Sequence, residues 1–177
     1  MENKPWPRLG EDVGARVGYR KLVVRGFQTP DNKRVDFTLI DEGRVVCIFP
    51  LTKDRQVVLA KQFRPGPEQI LLELPGGVIN LDETPEEAAV RELLEETGYR
   101  GKLQLVTESF HSAYSTMQRY NFVATECEKV DEPNTPDDEE FTEVELMPLD
   151  QFREHVRSGK LTDMGTGYRA LDFLDLL

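Results

Sequence analysis

Apolar positions along the chain change their spacing in a way that separates strands from helices. Residues 1–14 carry charges, two prolines and no apolar run, and read as a loose arm. Residues 16–25, with Val17, Tyr19, Leu22, Val23 and Val24, read as a strand. The cluster Thr29-Pro30-Asp31-Asn32-Lys33 is a turn. A second strand over 34–40 completes a hairpin. The apolar run Val45-Val46-Cys47-Ile48-Phe49 and the segment 56–63 around Val57-Val58-Leu59 are two further strands, joined by a turn at 51–55. Segments 102–109, 118–124 and 141–147 are also strand-like, and 131–140 is an acidic loop.

Helices punctuate this pattern. Thr84 followed by Glu87 is a capping box, Pro85 stands at the first helical position, and Gly98 supplies a stop. A helix over 84–97 follows. Residues 150–157 and 165–176 read as two C-terminal helices. No repeat and no long linker interrupts the chain, so the pattern predicts one mixed α+β domain.

Composition narrows the possible partners. The chain has 177 residues, enough to bury a core without disulfides. Asp and Glu total 33 against 22 Lys and Arg, a net charge of −11. Such a balance argues against nucleic-acid polymers and anionic membranes, which select basic surfaces. Cys47 and Cys127 sit in apolar runs and form no CxxC pair, which argues against a disulfide framework or a zinc site. No stretch approaches the ~20 apolar residues of a membrane span. A soluble protein of a reducing, cytoplasmic compartment is the expectation.

The predicted helix carries the candidate chemistry. At ~100° per residue, Glu92, Glu95 and Glu96 fall within about 100° of arc, while Ala89, Val90, Leu93, Leu94 and Thr97 take the adjoining arc and would face the core. Like charges at i, i+3 and i+4 repel one another. That grouping suits a solvated acidic face or a site for a hard divalent cation such as Mg²⁺, which takes oxygen ligands. The wider context favours the second. From Gly77 the chain reads Gly, five residues, Glu83, seven residues, then Arg91-Glu92-Leu93-Leu94-Glu95-Glu96-Thr97-Gly98-Tyr99. This resembles the Nudix box, G-x5-E-x7-R-E-U-x-E-E-x-G-U with U apolar. Tyr99 is aromatic where the family has an aliphatic residue.

The resemblance implies a Nudix fold, an α/β/α sandwich around a mixed sheet over residues 44–177. Residues 1–43 would be an N-terminal arm and hairpin. It implies hydrolysis of a nucleoside diphosphate linked to another moiety, with Mg²⁺ or Mn²⁺ as cofactor. Carried over, Glu92, Glu95 and Glu96 are the metal carboxylates, and the Gly76 carbonyl is a further ligand position. Arg91 would pair with Glu83, Gly77 would turn the chain into the loop, and Gly98 would stop the helix. The base that activates water lies in the box, with Glu95 the candidate, or in a later loop, where Glu139 and Glu140 stand. Alternatively, those two belong to a merely solvated acidic run.

Gln62-Phe63-Arg64 and Glu73-Leu74-Pro75-Gly76 resemble the Q-[FY]-R and E-L-P-A-G segments of the ADP-ribose and nucleoside-diphosphate-sugar pyrophosphatase branch. Arg64 is then a candidate phosphate ligand. Glu73 would bind a ribose hydroxyl or a metal-bound water, or else pair with an arginine in the sheet. Segment 158–163 also resembles this branch. So does the N-terminal hairpin, which in the branch builds a dimer interface and contributes to the partner's site. Phe27 or Phe37 is a candidate for stacking a base, His111 for a phosphate or sugar contact. Segment 109–116 lacks the proline usual in ADP-ribose-specific members, and Tyr114 lies near a tyrosine of dinucleoside-polyphosphate hydrolases. The readings left open are a nucleotide-sugar hydrolase, a dinucleoside-polyphosphate or triphosphate hydrolase, and a non-catalytic nucleotide-sugar sensor.

Overall fold

The apolar run at 44–50 lies in β4 (Arg44–Thr52), where alternate side chains enter different cores. Cys47 and Phe49 join one cluster, Val46 and Ile48 the other. The structure, a computed structural model, describes residues 4–18, 20–131 and 142–177. The chain divides into two units, residues 44–109 with 119–177, and residues 1–43 with 110–118.

The larger unit is built on a six-stranded sheet of order β6-β5-β4-β8-β7, with β9 paired to β5. Its strands are β4, β5 (Gln56–Arg64), β6 (Gln69–Glu73), β7 (Tyr99–Phe110), β8 (Gln118–Lys129) and β9 (Glu143–Pro148). Helix α1 (Pro85–Thr97) covers one face, where Ala88, Ala89 and Leu93 pack on Val46, Ile48, Val58 and Phe122. Helices α2 (Leu149–Arg157) and α3 (Met164–Phe173) cover the other, where Phe152, Val156, Ala170 and Leu171 pack on Phe49, Leu59 and Val123. This is the expected α/β/α sandwich. Tyr99 is buried in the α1-side core. That environment is why an aromatic residue is accepted at the end of the box. Both cysteines are free and buried, and burial pushes both thiols up, Cys127 to about 12.

In the smaller unit, β1 (Arg8–Val17), β2 (Arg20–Gln28) and β3 (Arg34–Asp41) form an antiparallel sheet. The expected hairpin is β2–β3, but the expected strand over 16–25 is split at Gly18, residues 16–17 ending β1 and β2 starting at Arg20. The expected loose arm is corrected: residues 8–17 are an edge strand paired to β2 and turned back at Gly18, whose φ is 59°. Its residues are mostly exposed, so no apolar alternation marks it. Backbone pairing and the bidentate Arg25–Asp12 ion pair at 2.8 Å hold it instead. Segment 110–118 joins this sheet, with the Ile40 amide donating to the Tyr114 carbonyl at 2.9 Å and the Thr116 amide to the Ile40 carbonyl at 3.0 Å. One face of the sheet presents Val13, Leu22, Val24 and Ile40 to solvent, with Val13 opposite Val24 and Leu22 opposite Ile40. Among the described residues no helix is long and apolar enough to cross a membrane.

Candidate active site

The caps of α1 fix where its acidic face begins and ends. The Glu87 amide donates to Thr84 Oγ1 at 3.2 Å, and the Thr84 amide donates to Glu87 Oε2 at 2.9 Å. At the other end Gly98 adopts φ 69°, and its amide donates to the Leu94 carbonyl at 2.8 Å. Glu95 and Glu96 therefore stand in the last turn, where the helix dipole is unfavourable to anions. Nothing basic occupies that turn.

Arg91 offsets part of this charge. Its Nε and Nη2 hold both oxygens of Glu83, at 2.8 and 2.9 Å. Its Nη1 donates to Glu92 Oε1 at 2.8 Å and to Glu95 Oε2 at 2.9 Å. Nη2 also donates to the Val78 carbonyl at 3.0 Å, which ties the helix to the loop preceding it. The hydrogen bonds from Arg91 hold the Glu83 carboxyl below the ordinary glutamate range, against the opposing effect of burial. Three carboxylates, Glu83, Glu92 and Glu95, share this guanidinium, and their summed formal charge with it is −3 + 1 = −2.

Glu96 is buried and its Oε2 accepts the Gly76 amide at 3.0 Å. The carbonyls of Pro75 and Gly77 accept from Ile48 and Val46 of β4, each at 2.9 Å. In extended backbone this alternation turns the intervening Gly76 amide and carbonyl away from β4. The amide reaches Glu96, so the carbonyl lies on the same side. A Cβ at Gly76 would lie 2.3 Å from the Val46 carbonyl oxygen, which explains glycine where the resembling branch has alanine. The φ of Gly77 is not left-handed, and a Cβ there would lie 2.4 Å from Glu92 Oε1. Its glycine makes room for that carboxylate.

Among the described residues, no three His, Cys, Asp or Glu side chains converge into a ready coordination cluster. Arg91 bridges Glu92 and Glu95, and Glu96 holds a backbone amide. The donors nonetheless fit a hard divalent cation: all are oxygens, they share one helix face, and their charge exceeds what Arg91 supplies.

The other predicted residues divide between the units. Glu73, at the end of β6, is fully buried, with Oε2 held by Arg64 Nε and Oε1 by the Thr162 hydroxyl. The arginine pairing foreseen as an alternative for Glu73 is therefore present. Phe27 and Tyr114 lie in the smaller unit. Phe37 joins them, its ring 5.9 Å from Phe27 and 6.3 Å from Tyr114. These rings, with Trp6, Leu39 and Phe110, line a cavity of about 520 Å³. His111 is exposed on the loop of that unit, its amide donating to the Met117 carbonyl at 3.4 Å. Glu139 and Glu140 lie outside the described residues. Thr162 received no role from the sequence, although the 158–163 segment that contains it was the available signal. Next to it, Asp163 caps α3 by position but directs its carboxylate to Arg119 at 2.8 Å. Burial pushes that carboxyl up while Arg119 pulls it down.

Residues 41–164 match the NUDIX domain family. The ADP-ribose pyrophosphatase of Bacillus subtilis (strain 168) is 29% identical over 157 residues, 88% of this chain and 84% of that protein. The GDP-mannose pyrophosphatase of Cronobacter sakazakii is 29% identical over 136 residues, 71% of each chain. A crystal structure of an ADP compounds hydrolase superposes with a TM-score of 0.75 over 100% of both chains at 20% identity, a likeness of fold.

The Glu83–Arg91 pair has a defined pH dependence. Its stabilisation is fully present above the unfolded glutamate pKa of 4.5 and is lost as pH falls through the lower folded value. Glu83→Gln is expected to lower Tm at pH 7 by about 2–4 °C, the shift that 1 kcal/mol gives in a chain of this size. Melting curves should show the gap to the wild type closing below about pH 4. A gap that stays constant down to pH 3 contradicts this account.

Proposed function

The chain belongs to the Nudix family, and from that membership we propose that it hydrolyses the pyrophosphate bond of ADP-ribose or a related nucleoside diphosphate sugar with the help of Mg²⁺ or Mn²⁺. The observation that carries the reading is the box: three carboxylates held on one face of α1 by Arg91 and the Gly76 amide, with a net charge that a cation would offset. Glu92, Glu95, Glu96 and the Gly76 carbonyl are the groups that would hold the metal. When bound, it would neutralise phosphate charge and lower the pKa of a coordinated water. Residues of the chain do the rest. A carboxylate accepts the proton of the attacking water, with Glu95 the described candidate. Attack at phosphorus breaks the bridging P–O bond, and the products are a nucleoside monophosphate and a sugar phosphate. Arg64, exposed beyond its contact with Glu73, would take a phosphate oxygen.

The substrate class rests on the Gln62-Phe63-Arg64 and Glu73–Gly76 segments and on relatives that act on ADP-ribose and GDP-mannose. The aromatic cavity of the smaller unit suits a flat nucleobase, through stacking on Phe27 or Tyr114. A homodimer is part of the same reading, because the smaller unit leaves the apolar face of Val13, Leu22, Val24 and Ile40 exposed. Light scattering should give twice the chain mass, falling to one chain mass in Val24→Glu. A wild-type monomer would contradict the dimer.

The purified protein should be offered ADP-ribose, ADP-glucose, GDP-mannose, UDP-glucose, Ap4A and dGTP, each with Mg²⁺ and with chelator. A nucleotide sugar should lead, chelator should abolish turnover, and Glu96→Gln should lower kcat by at least about 100-fold. Ap4A or dGTP leading would overturn the substrate class. Turnover in chelator, or near-normal turnover in Glu96→Gln, would overturn the role of the box.

A further inference from the structure

Glu73 is an ionisable residue with no exposed surface, and among the described residues each of its oxygens meets a side-chain donor. Arg64 Nε meets one, and the Thr162 hydroxyl, from the connection between α2 and α3, meets the other. The charge is therefore satisfied by a partly exposed arginine and a neutral hydroxyl. A buried carboxylate that loses one donor carries the full desolvation cost of that oxygen, so it turns toward any other donor in reach. The group it would drag is Arg64.

The geometry of the arginine gives this contact a purpose. Glu73 engages Nε, the atom nearest the aliphatic stem, and so restricts the guanidinium while leaving its two terminal nitrogens out of that ion pair. The two terminal nitrogens then face their ligand from a set direction, which suits a planar fork binding a phosphate. A free arginine on an edge hairpin would lose that orientation among many rotamers. Glu73 also lies in the same segment as Gly76, whose amide is held by the box residue Glu96. The segment thus carries both the support of Arg64 and a neighbour of the carboxylates.

We propose that Thr162 and Glu73 are positioning residues, which hold Arg64 in the orientation that binds the substrate's pyrophosphate. The inference rests on the reading of Arg64 as a phosphate ligand. The Thr162 hydroxyl is the element that nothing in the sequence assigns. It acts through Glu73 and touches no reacting atom. A purely structural role would be to tie the α2–α3 connection to the sheet, and the two roles separate in a double-mutant cycle.

KM and kcat for ADP-ribose with Mg²⁺ should be measured in the wild type, Thr162→Val, Thr162→Ser, Arg64→Ala and the Thr162→Val/Arg64→Ala double variant. Thr162→Val should raise KM about fivefold with kcat within about twofold, the signature of lost binding shared by ground and transition states. Thr162→Ser keeps the donor and should restore KM to within about twofold of the wild type. In the Arg64→Ala background Thr162→Val should add nothing further. The same KM factor in both backgrounds, or Thr162→Ser as impaired as Thr162→Val, overturns the inference. Arg64→Ala with an unchanged KM overturns the phosphate role of Arg64 itself, a separate failure read from that single variant. Should Thr162→Val fail to fold, Thr162→Ala takes its place in the cycle.

Discussion

The guanidinium of Arg91 is the interaction on which the rest of the site depends. It reaches Glu83 across the loop, Glu92 and Glu95 on its own helix, and the Val78 carbonyl at the loop's start. Without it, Glu83, Glu92 and Glu95 would face one another with no shared counter-charge, Glu95 in the turn where the helix dipole disfavours anions. With it, the loop is fastened to α1 and the carboxylates are held in place, still in excess. A single cation thus organises the site without neutralising it. The residual charge makes a divalent metal ion a suitable occupant of this face.

The sandwich beneath it supplies rigidity. β4 enters both cores through alternate residues, and its amides at Val46 and Ile48 hold the Gly77 and Pro75 carbonyls. Gly76 is thereby fixed between the sheet and Glu96. The site is a seam between the buried strand β4 and the capped helix α1, so small displacements of either would be felt there.

Much of this was readable from the residues because the signals are local. The capping box, Pro85 and Gly98 mark α1 within a residue, and the spacing of Glu92, Glu95 and Glu96 places them on one face. The strand β1 was missed because it is an exposed edge, paired through its backbone and through Asp12 with Arg25, and burial periodicity leaves no mark on such a strand. The short β6 was missed because five residues beside a Gly-Pro turn show no clear alternation. Gly77 lies against a side chain fifteen positions further along, a contact that the local sequence does not display. Thr162 had no role for a similar reason: its partner Glu73 is 89 residues away, brought near only by the packing of α2 and α3 on the sheet.

Direct metal binding tests whether the α1 carboxylates form a cation site, without reference to any substrate. Titrating the protein into Mn²⁺ and following the free-ion signal by electron paramagnetic resonance gives the answer. The wild type should deplete the signal, and Glu96→Gln, folded by circular dichroism, should deplete it far less. A free-ion signal that the wild type leaves unchanged, or that both proteins deplete equally, would contradict a cation site there.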